Sequence, residues 1–198
     1  MRWAIRRGWK ACWKRWASPV VRITVLTASA RSDGNTRAMV DAFLGHCGAL
    51  AEEIDLARLR IGPFDYRQLD DRDDFLSVVE TMARSEHIVF ATPVYWYAMS
   101  GLMKTFFDRL TDLLLVEANR PLGRALAGRR VWLLATGTEE GLPPGFTEPF
   151  ARTAAYFAMD WRAGTYCRSD GDSPLAGDAL APAEKLADRV MGEIHMAR

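Results

Sequence analysis

Between residues 29 and 36 the chain reads Ser-Ala-Arg-Ser-Asp-Gly-Asn-Thr, a run that could hold a phosphate. The hydroxyls of Ser29, Ser32 and Thr36 can donate hydrogen bonds, and Arg31 adds a positive charge. Gly34 permits a tight turn with positive φ. With Asn35 and Thr36 the run feeds a helix, whose free N–H groups and macrodipole favour an anion. It is not a Walker loop, because no Gly-Lys-Ser/Thr is present, and the chain contains no Gly-x-Gly of the dinucleotide fingerprint. The bland alternative is a plain strand-to-helix loop with a polar helix cap.

A second run, residues 92–100, reads Thr-Pro-Val-Tyr-Trp-Tyr-Ala-Met-Ser. Three consecutive aromatics, Tyr95, Trp96 and Tyr97, are hard to bury together at a strand end, because neighbouring side chains there point different ways. Some must stay near the surface, where a flat ring could stack on them. A helix starting just after them would aim N–H groups at the pyrimidine edge of a flavin and favour its reduced, negatively charged form. The alternative is an aromatic anchor in the core or at a subunit interface. A third run, residues 136–141, places Thr136, Gly137 and Thr138 where backbone could approach a ring edge closely.

The elements that must position these runs alternate in type. Strands are expected at residues 20–27, 51–56, 87–92, 130–136 and 161–167, each short and apolar or β-branched. Helices are expected at 37–46, 75–85, 100–115, 146–157 and 183–197. Pro93 is expected to break the third strand, and residues 61–74, 121–128 and 169–182 read as loops. Five such units predict an α/β domain with a doubly wound parallel sheet in the order 2-1-3-4-5, covered by helices on both faces in three layers. In that topology a ligand sits beyond the carboxyl ends of the strands, at the switch between strands one and three. The three runs follow strands one, three and four.

Composition narrows the class further. Of the 198 residues 49% are hydrophobic and 26% charged, enough apolar material for one core at 20–198. Residues 1–19 stand apart, with six basic side chains and no acidic one, and with Trp9, Cys12, Trp13 and Trp16 at helical spacing. They read as a disordered extension or as a basic amphipathic helix able to make weak contact with an anionic membrane surface. The remainder holds 20 basic against 25 acidic residues, which argues against nucleic acid as a partner. Cys12, Cys47 and Cys167 are odd in number and far apart, so no disulfide framework or metal site is indicated and a reducing cytoplasm is expected.

Taken in order, the three runs resemble the NADPH-dependent FMN reductase family, in the flavodoxin-like superfamily that includes NAD(P)H:quinone reductases. Strand one followed by Ser29-x-Arg31-x-x-Gly34-Asn35-Thr36 is similar to the family's FMN-phosphate loop, which would also take in Ser32. Thr92-Pro93-Val94-Tyr95-Trp96, then Met99-Ser100, Leu102-Met103-Lys104 and Phe107-Asp108-Arg109, is similar to the segment bordering the isoalloxazine. The resemblance assigns Pro93, Val94, Tyr95, Trp96 and Tyr97 to the ring, and Thr136, Gly137 and Thr138 to its other edge. Lys104, Asp108 and Arg109 are expected to be structural or interfacial. The Leu-Lys pair is interrupted by Met103, and residues 61–74 carry none of the cysteines of the iron–sulfur relatives.

The implied activity is hydride transfer from NAD(P)H through N5 of FMN to a quinone, flavin or similar small electron acceptor, with no catalytic side chain and no metal. The resemblance also implies a homodimer or homotetramer. The nearest rival is a flavodoxin-type electron carrier, which tends to be far more acidic than this chain. A cofactor-free interaction protein would lack the hydroxyls of residues 29–36. A Ser-His-Asp hydrolase finds no Gly-x-Ser-x-Gly and no histidine in the strand-end loops, since His46, His87 and His195 fall in a helix, a strand start and the last helix.

Overall fold

The computed structural model describes residues 22–67, 73–171 and 174–196. Everything expected of residues 1–19 lies outside that set, as does the beginning of the first expected strand. Five parallel strands form the main sheet: β1 (Ile23–Thr27), β2 (Ala51–Asp55), β3 (His87–Tyr95), β5 (Arg130–Gly137) and β6 (Asp160–Arg168). Their order is β2-β1-β3-β5-β6, which is the predicted doubly wound order. The two-residue strand β4 (Ala98–Met99) pairs antiparallel with the end of β3 and was not expected.

The helices are α1 (Asn35–Cys47), α2 (Phe75–Arg84), α3 (Gly101–Arg109), α4 (Asp112–Leu115), α5 (Arg120–Ala125), α6 (Glu148–Tyr156) and α7 (Ala181–Met196). Alternate residues along the strands feed two cores, as the period of two requires. Ile23, Val25, Val89, Trp132 and Leu134 pack with Met39 and Phe43 of α1 and Leu186 and Val190 of α7. Leu26, Ile88, Phe90, Val131 and Leu133 pack with Phe75 and Met82 of α2, Phe106 of α3 and Phe150 of α6. Among the described residues no helix is long and apolar enough to cross a membrane.

Three expectations are corrected. Pro93 does not break β3: the strand continues to Tyr95, with Pro93 opposite Thr136. The Ala91 carbonyl faces β1, accepting from the Ala28 N–H at 2.9 Å. Two residues on, Pro93 faces the same side, but β1 has already ended at Thr27, so the missing N–H leaves no ladder bond unmade. The long helix over 100–115 is split at Leu110–Thr111 into α3 and α4. The split coincides with a buried ion cluster in which Arg109 pairs with Asp112 at 2.7 Å and with Asp73, and donates to the Gly62 carbonyl at 3.2 Å. Burial alone would raise the Asp73 carboxyl, but the Arg109 hydrogen bonds hold it below its usual range. Arg109 is therefore structural, pinning the segment after β2 to the body. Finally, the loop expected at 121–128 contains α5, whose first turn accommodates Pro121 because the missing N–H is one a helix start leaves unpaired anyway.

Candidate functional site

The segment after β1 and the hairpin after β3 meet at the C-terminal edge of the sheet, with the segment after β5 beside them. Ser29 and Thr36 are buried, and Arg31 and Ser32 stand exposed. The Ser29 hydroxyl accepts from the Arg31 N–H at 3.3 Å, which curls the segment toward α1. Gly34 occupies the N-cap of α1 at φ −94°, an extended conformation, so the positive φ that glycine permits is not used there. The Asn35 side chain is engaged across the edge, while its backbone N–H stands at the start of α1. Its Nδ2 donates to Ser169 Oγ at 2.5 Å and its Oδ1 accepts from the Leu175 N–H at 3.0 Å, so it clamps the segment after β6 onto α1.

The aromatic run forms the tip of a hairpin. Tyr95 pairs with Ala98, leaving Trp96 and Tyr97 as a two-residue loop with φ of 48° and 64°. Two successive positive φ values describe a type I′ turn, which normally takes Asn-Gly. Here two large aromatics hold it, a strained arrangement. Trp96 is 90% exposed and Tyr97 69%. At the base of the hairpin Thr92 Oγ1 accepts from the Ser100 N–H at 3.0 Å, and Ser100 Oγ donates to the Ala28 carbonyl at 2.7 Å. Ser100 also caps α3 by accepting from the Met103 N–H at 3.2 Å. α3 begins at Gly101, one residue after the expected start, and the two-strand hairpin lies between the aromatics and its first turn.

A cleft of about 190 Å³ opens between hairpin and sheet. Val94, Trp96 and Tyr97 line it on one side, Gly137, Thr138, Glu139 and Gly141 on the other, and Tyr166 of β6 closes it. Gly137 has to be small. A Cβ there would meet Tyr166 Oη at 3.0 Å and Val94 Cβ at 3.2 Å. Tyr166 donates its hydroxyl to the Glu139 carbonyl at 2.9 Å, and burial together with the Glu139 charge raises its pKa. Thr136 is buried, and its hydroxyl has no hydrogen-bond partner among the described residues. A buried hydroxyl left unmet costs free energy, so β5 holds an unused polar atom near its C-terminal end.

Of the expected residues, Val94, Trp96, Tyr97, Gly137 and Thr138 line this cleft. Pro93 and Thr136 lie buried side by side in register beneath it, Tyr95 stands half-exposed, and Ser29, Arg31, Ser32, Gly34, Asn35 and Thr36 form the neighbouring turn. Glu139, Gly141 and Tyr166 were not singled out from the sequence. For Tyr166 a signal existed: an aromatic near the end of the fifth main strand falls on the edge where doubly wound sheets hold ligands.

Comparison with known proteins supplies independent findings. The family model described as NADPH-dependent FMN reductase matches residues 21–142. The chain is 27% identical over 177 residues to YwqN of Bacillus subtilis, whose name is that of an NAD(P)H-dependent FMN-containing oxidoreductase. That similarity covers 84% of this chain and 93% of the relative. Among solved structures, the Trp repressor binding protein of Bacillus subtilis superposes with a TM-score of 0.66 at 23% identity, covering 83% of this chain and 96% of that one. General stress protein 14 of Treponema denticola, solved in complex with FMN, superposes with a TM-score of 0.60 at 17% identity, covering 89% and 99%. Both structural likenesses show the flavodoxin-like fold.

Proposed function

The chain belongs to the NADPH-dependent FMN reductase family, and on that premise we propose that it uses NAD(P)H to reduce a quinone, flavin or similar small acceptor through bound FMN. FMN is the cofactor of this oxidoreductase family. The residues present fit it. The Thr136 hydroxyl offers an unmet polar atom, and Gly137 lines the cleft with no side chain of its own. Arg31, Ser32 and the first N–H groups of α1 would hold the phosphate. Tyr95, Trp96 and Tyr97 would flank the ring, with the backbone of Gly137 and Thr138 at its other edge. When bound, FMN supplies the redox chemistry, taking a hydride at N5 and passing two electrons to the acceptor.

The chain's own part is positioning. The Ser100 bridge to the Ala28 carbonyl sets the hairpin against the end of β1, and so fixes the aromatics relative to the turn at 29–36. Tyr166 and Glu139 restrict access from the β6 side. The observation that carries the reading is the exposed Trp96–Tyr97 turn standing over this cleft. An exposed aromatic tip also suits a second copy of the chain, and the homo-oligomer is proposed with it.

The test begins with the visible spectrum of the purified protein and identification of any chromophore released by heat. Near one-to-one FMN, bleached by NADPH and restored by a quinone, supports the reading. A colourless protein that takes up no FMN on titration overturns it, and bound FMN that NADPH does not bleach reduces the protein to an electron carrier. Sedimentation of the same sample tests the oligomer.

A further inference from the structure

The opposite edge of the sheet carries a second, larger cavity. Gly128 and Ala158 lie just before β5 and β6 and are joined by a hydrogen bond from the Gly128 N–H to the Ala158 carbonyl at 2.8 Å. Against them, between α4, α5 and the end of α6, lies a groove of about 640 Å³. It lies at the start of β6, whereas the flavin cleft lies at its end. The run from Asp160 to Tyr166 puts roughly 20 Å between them, so the two cannot be one site.

The chemistry of the groove is two-part. Its floor is apolar, built from Leu113, Leu114 and Phe157, with the exposed ring of Tyr156 as a wall. Gly123 lets α5 pack closely against that floor, because a Cβ there would meet Leu113 Cβ at 3.2 Å and Phe157 Cε1 at 3.5 Å. The rim is positive. Arg120 is anchored by donating Nε to the Leu114 carbonyl at 3.1 Å, and one turn later on α5 the exposed Arg124 stands on the same rim. Among the described residues no acidic side chain lines the groove. The size falls within the range of about 300–1,000 Å³ usual for small-molecule sites, which pair apolar lining with a few polar groups.

We propose that this groove binds an amphipathic anion, an apolar body of modest length ending in a carboxylate, with the apolar part on Leu113, Leu114 and Phe157 and the carboxylate on Arg124 and Arg120. Charge complementarity selects the ligand class. An apolar occupant without charge gains nothing from the two rim arginines, whereas an anion gains charge-assisted hydrogen bonds there. The same argument rejects the chain's own residues 1–19, whose six positive charges would be brought against two more.

The test is calorimetric titration of the full chain with decanoate, below its micelle concentration, and with decyltrimethylammonium as the cationic match. Decanoate is expected to bind at one site and the cation to fail. Arg124→Glu is expected to weaken decanoate by about tenfold or more, the loss of one charged contact of ~1.4 kcal/mol. Ala127→Trp, which fills the groove from its exposed wall and leaves the rim charge intact, is expected to abolish binding. Thermal melting close to that of the unmodified chain shows that both variants fold. Equal binding of the two amphiphiles, or decanoate binding that survives in both folded variants, overturns the proposal.

Discussion

The two ends of β3 sit roughly 25 Å apart on one strand and are built on opposite terms. At its start His87 is fully buried, with a donor facing each ring nitrogen. Trp132 Nε1 donates to His87 Nδ1 at 3.1 Å, and Arg130, itself paired with Glu193, lies beside the ring. At its end the chain leaves the sheet through a strained turn with Trp96 and Tyr97 in water. One end is fixed by burial and contributes stability. The other holds its shape against its own backbone preference, an arrangement that packing does not demand. Burial at His87 thus adds stability away from the cleft, while the cleft edge carries the strain of the turn.

The largest expected effect tests the first half of that contrast. An indole only donates, so His87 Nδ1 accepts from Trp132, and Arg130, also only a donor, stands 3.3 Å from Nε2, so the site offers no acceptor for a second ring proton. Protonating Nδ1 breaks that bond in a buried site next to Arg130. Burial first, then the Arg130 charge, push the His87 pKa down to about 4. The native state thus holds the neutral ring while the unfolded chain takes up a proton near the usual value of about 6.5. Stability from this site is complete above pH ~6.5 and is lost as pH falls toward 4, by about 3 kcal/mol. Urea denaturation from pH 7 to pH 4.5 should show that slope. His87→Asn, which keeps an acceptor for Trp132, should remove most of it while leaving FMN binding unchanged. An unaltered slope in the variant breaks the comparison.

Next in size is the hinge between the two regimes. Ser100 is buried at the root of the hairpin, where one hydroxyl caps α3 and meets the Ala28 carbonyl. Ser100→Ala removes a helix cap and strands a buried carbonyl, a cost of about 2 kcal/mol. For a chain of this size that lowers the melting temperature by roughly 4–8 °C. Because the same bond registers the aromatics against residues 29–36, FMN affinity should fall along with stability. A loss of stability with FMN affinity intact would mean that the hairpin is positioned by something else.

Replacing Trp96 and Tyr97 together with Asn and Gly tests the second half, and its sign is opposite. The new pair suits a type I′ turn, so stability should rise by about 1–2 kcal/mol. Turnover of NADPH with a quinone should fall, since the aromatic wall of the cleft is gone. A variant both less stable and fully active would show that the tip is held by packing.

The contrast also explains what could be read from the sequence. The sheet order, the helix layers and the three edge segments were legible because they rest on apolar period and residue type. Pro93 was misread as a terminator because its tolerance depends on where β1 stops, which is a fact of register. The I′ turn at Trp96–Tyr97 was invisible because nothing in two aromatics announces left-handed backbone. Arg109 ended a helix without any breaker in the sequence, through partners 36 and 3 residues away. Asn35 looked like a phosphate ligand because its type fits one, while its partners, Ser169 and Leu175, lie more than a hundred residues on.

The smallest effect separates two glycines of the cofactor edge that the sequence made equivalent. At Gly137 a Cβ would press on Tyr166 Oη and on Val94 of β3, at 3.0 and 3.2 Å. Tyr166 cannot retreat without giving up its bond to the Glu139 carbonyl. Gly137→Ala should therefore cost about 1 kcal/mol and weaken FMN. At Gly34 the backbone is already extended, and the nearest atom to a new Cβ is the Arg31 Cβ at an ordinary 3.5 Å. Alanine is the poorer N-cap but restricts the unfolded chain, and the two terms nearly cancel to within about 0.5 kcal/mol. Melting curves and FMN titrations of the two alanine variants read the difference directly. If Gly34→Ala proves the more damaging, the turn at residues 29–36 must pass through a left-handed conformation when it closes on its ligand.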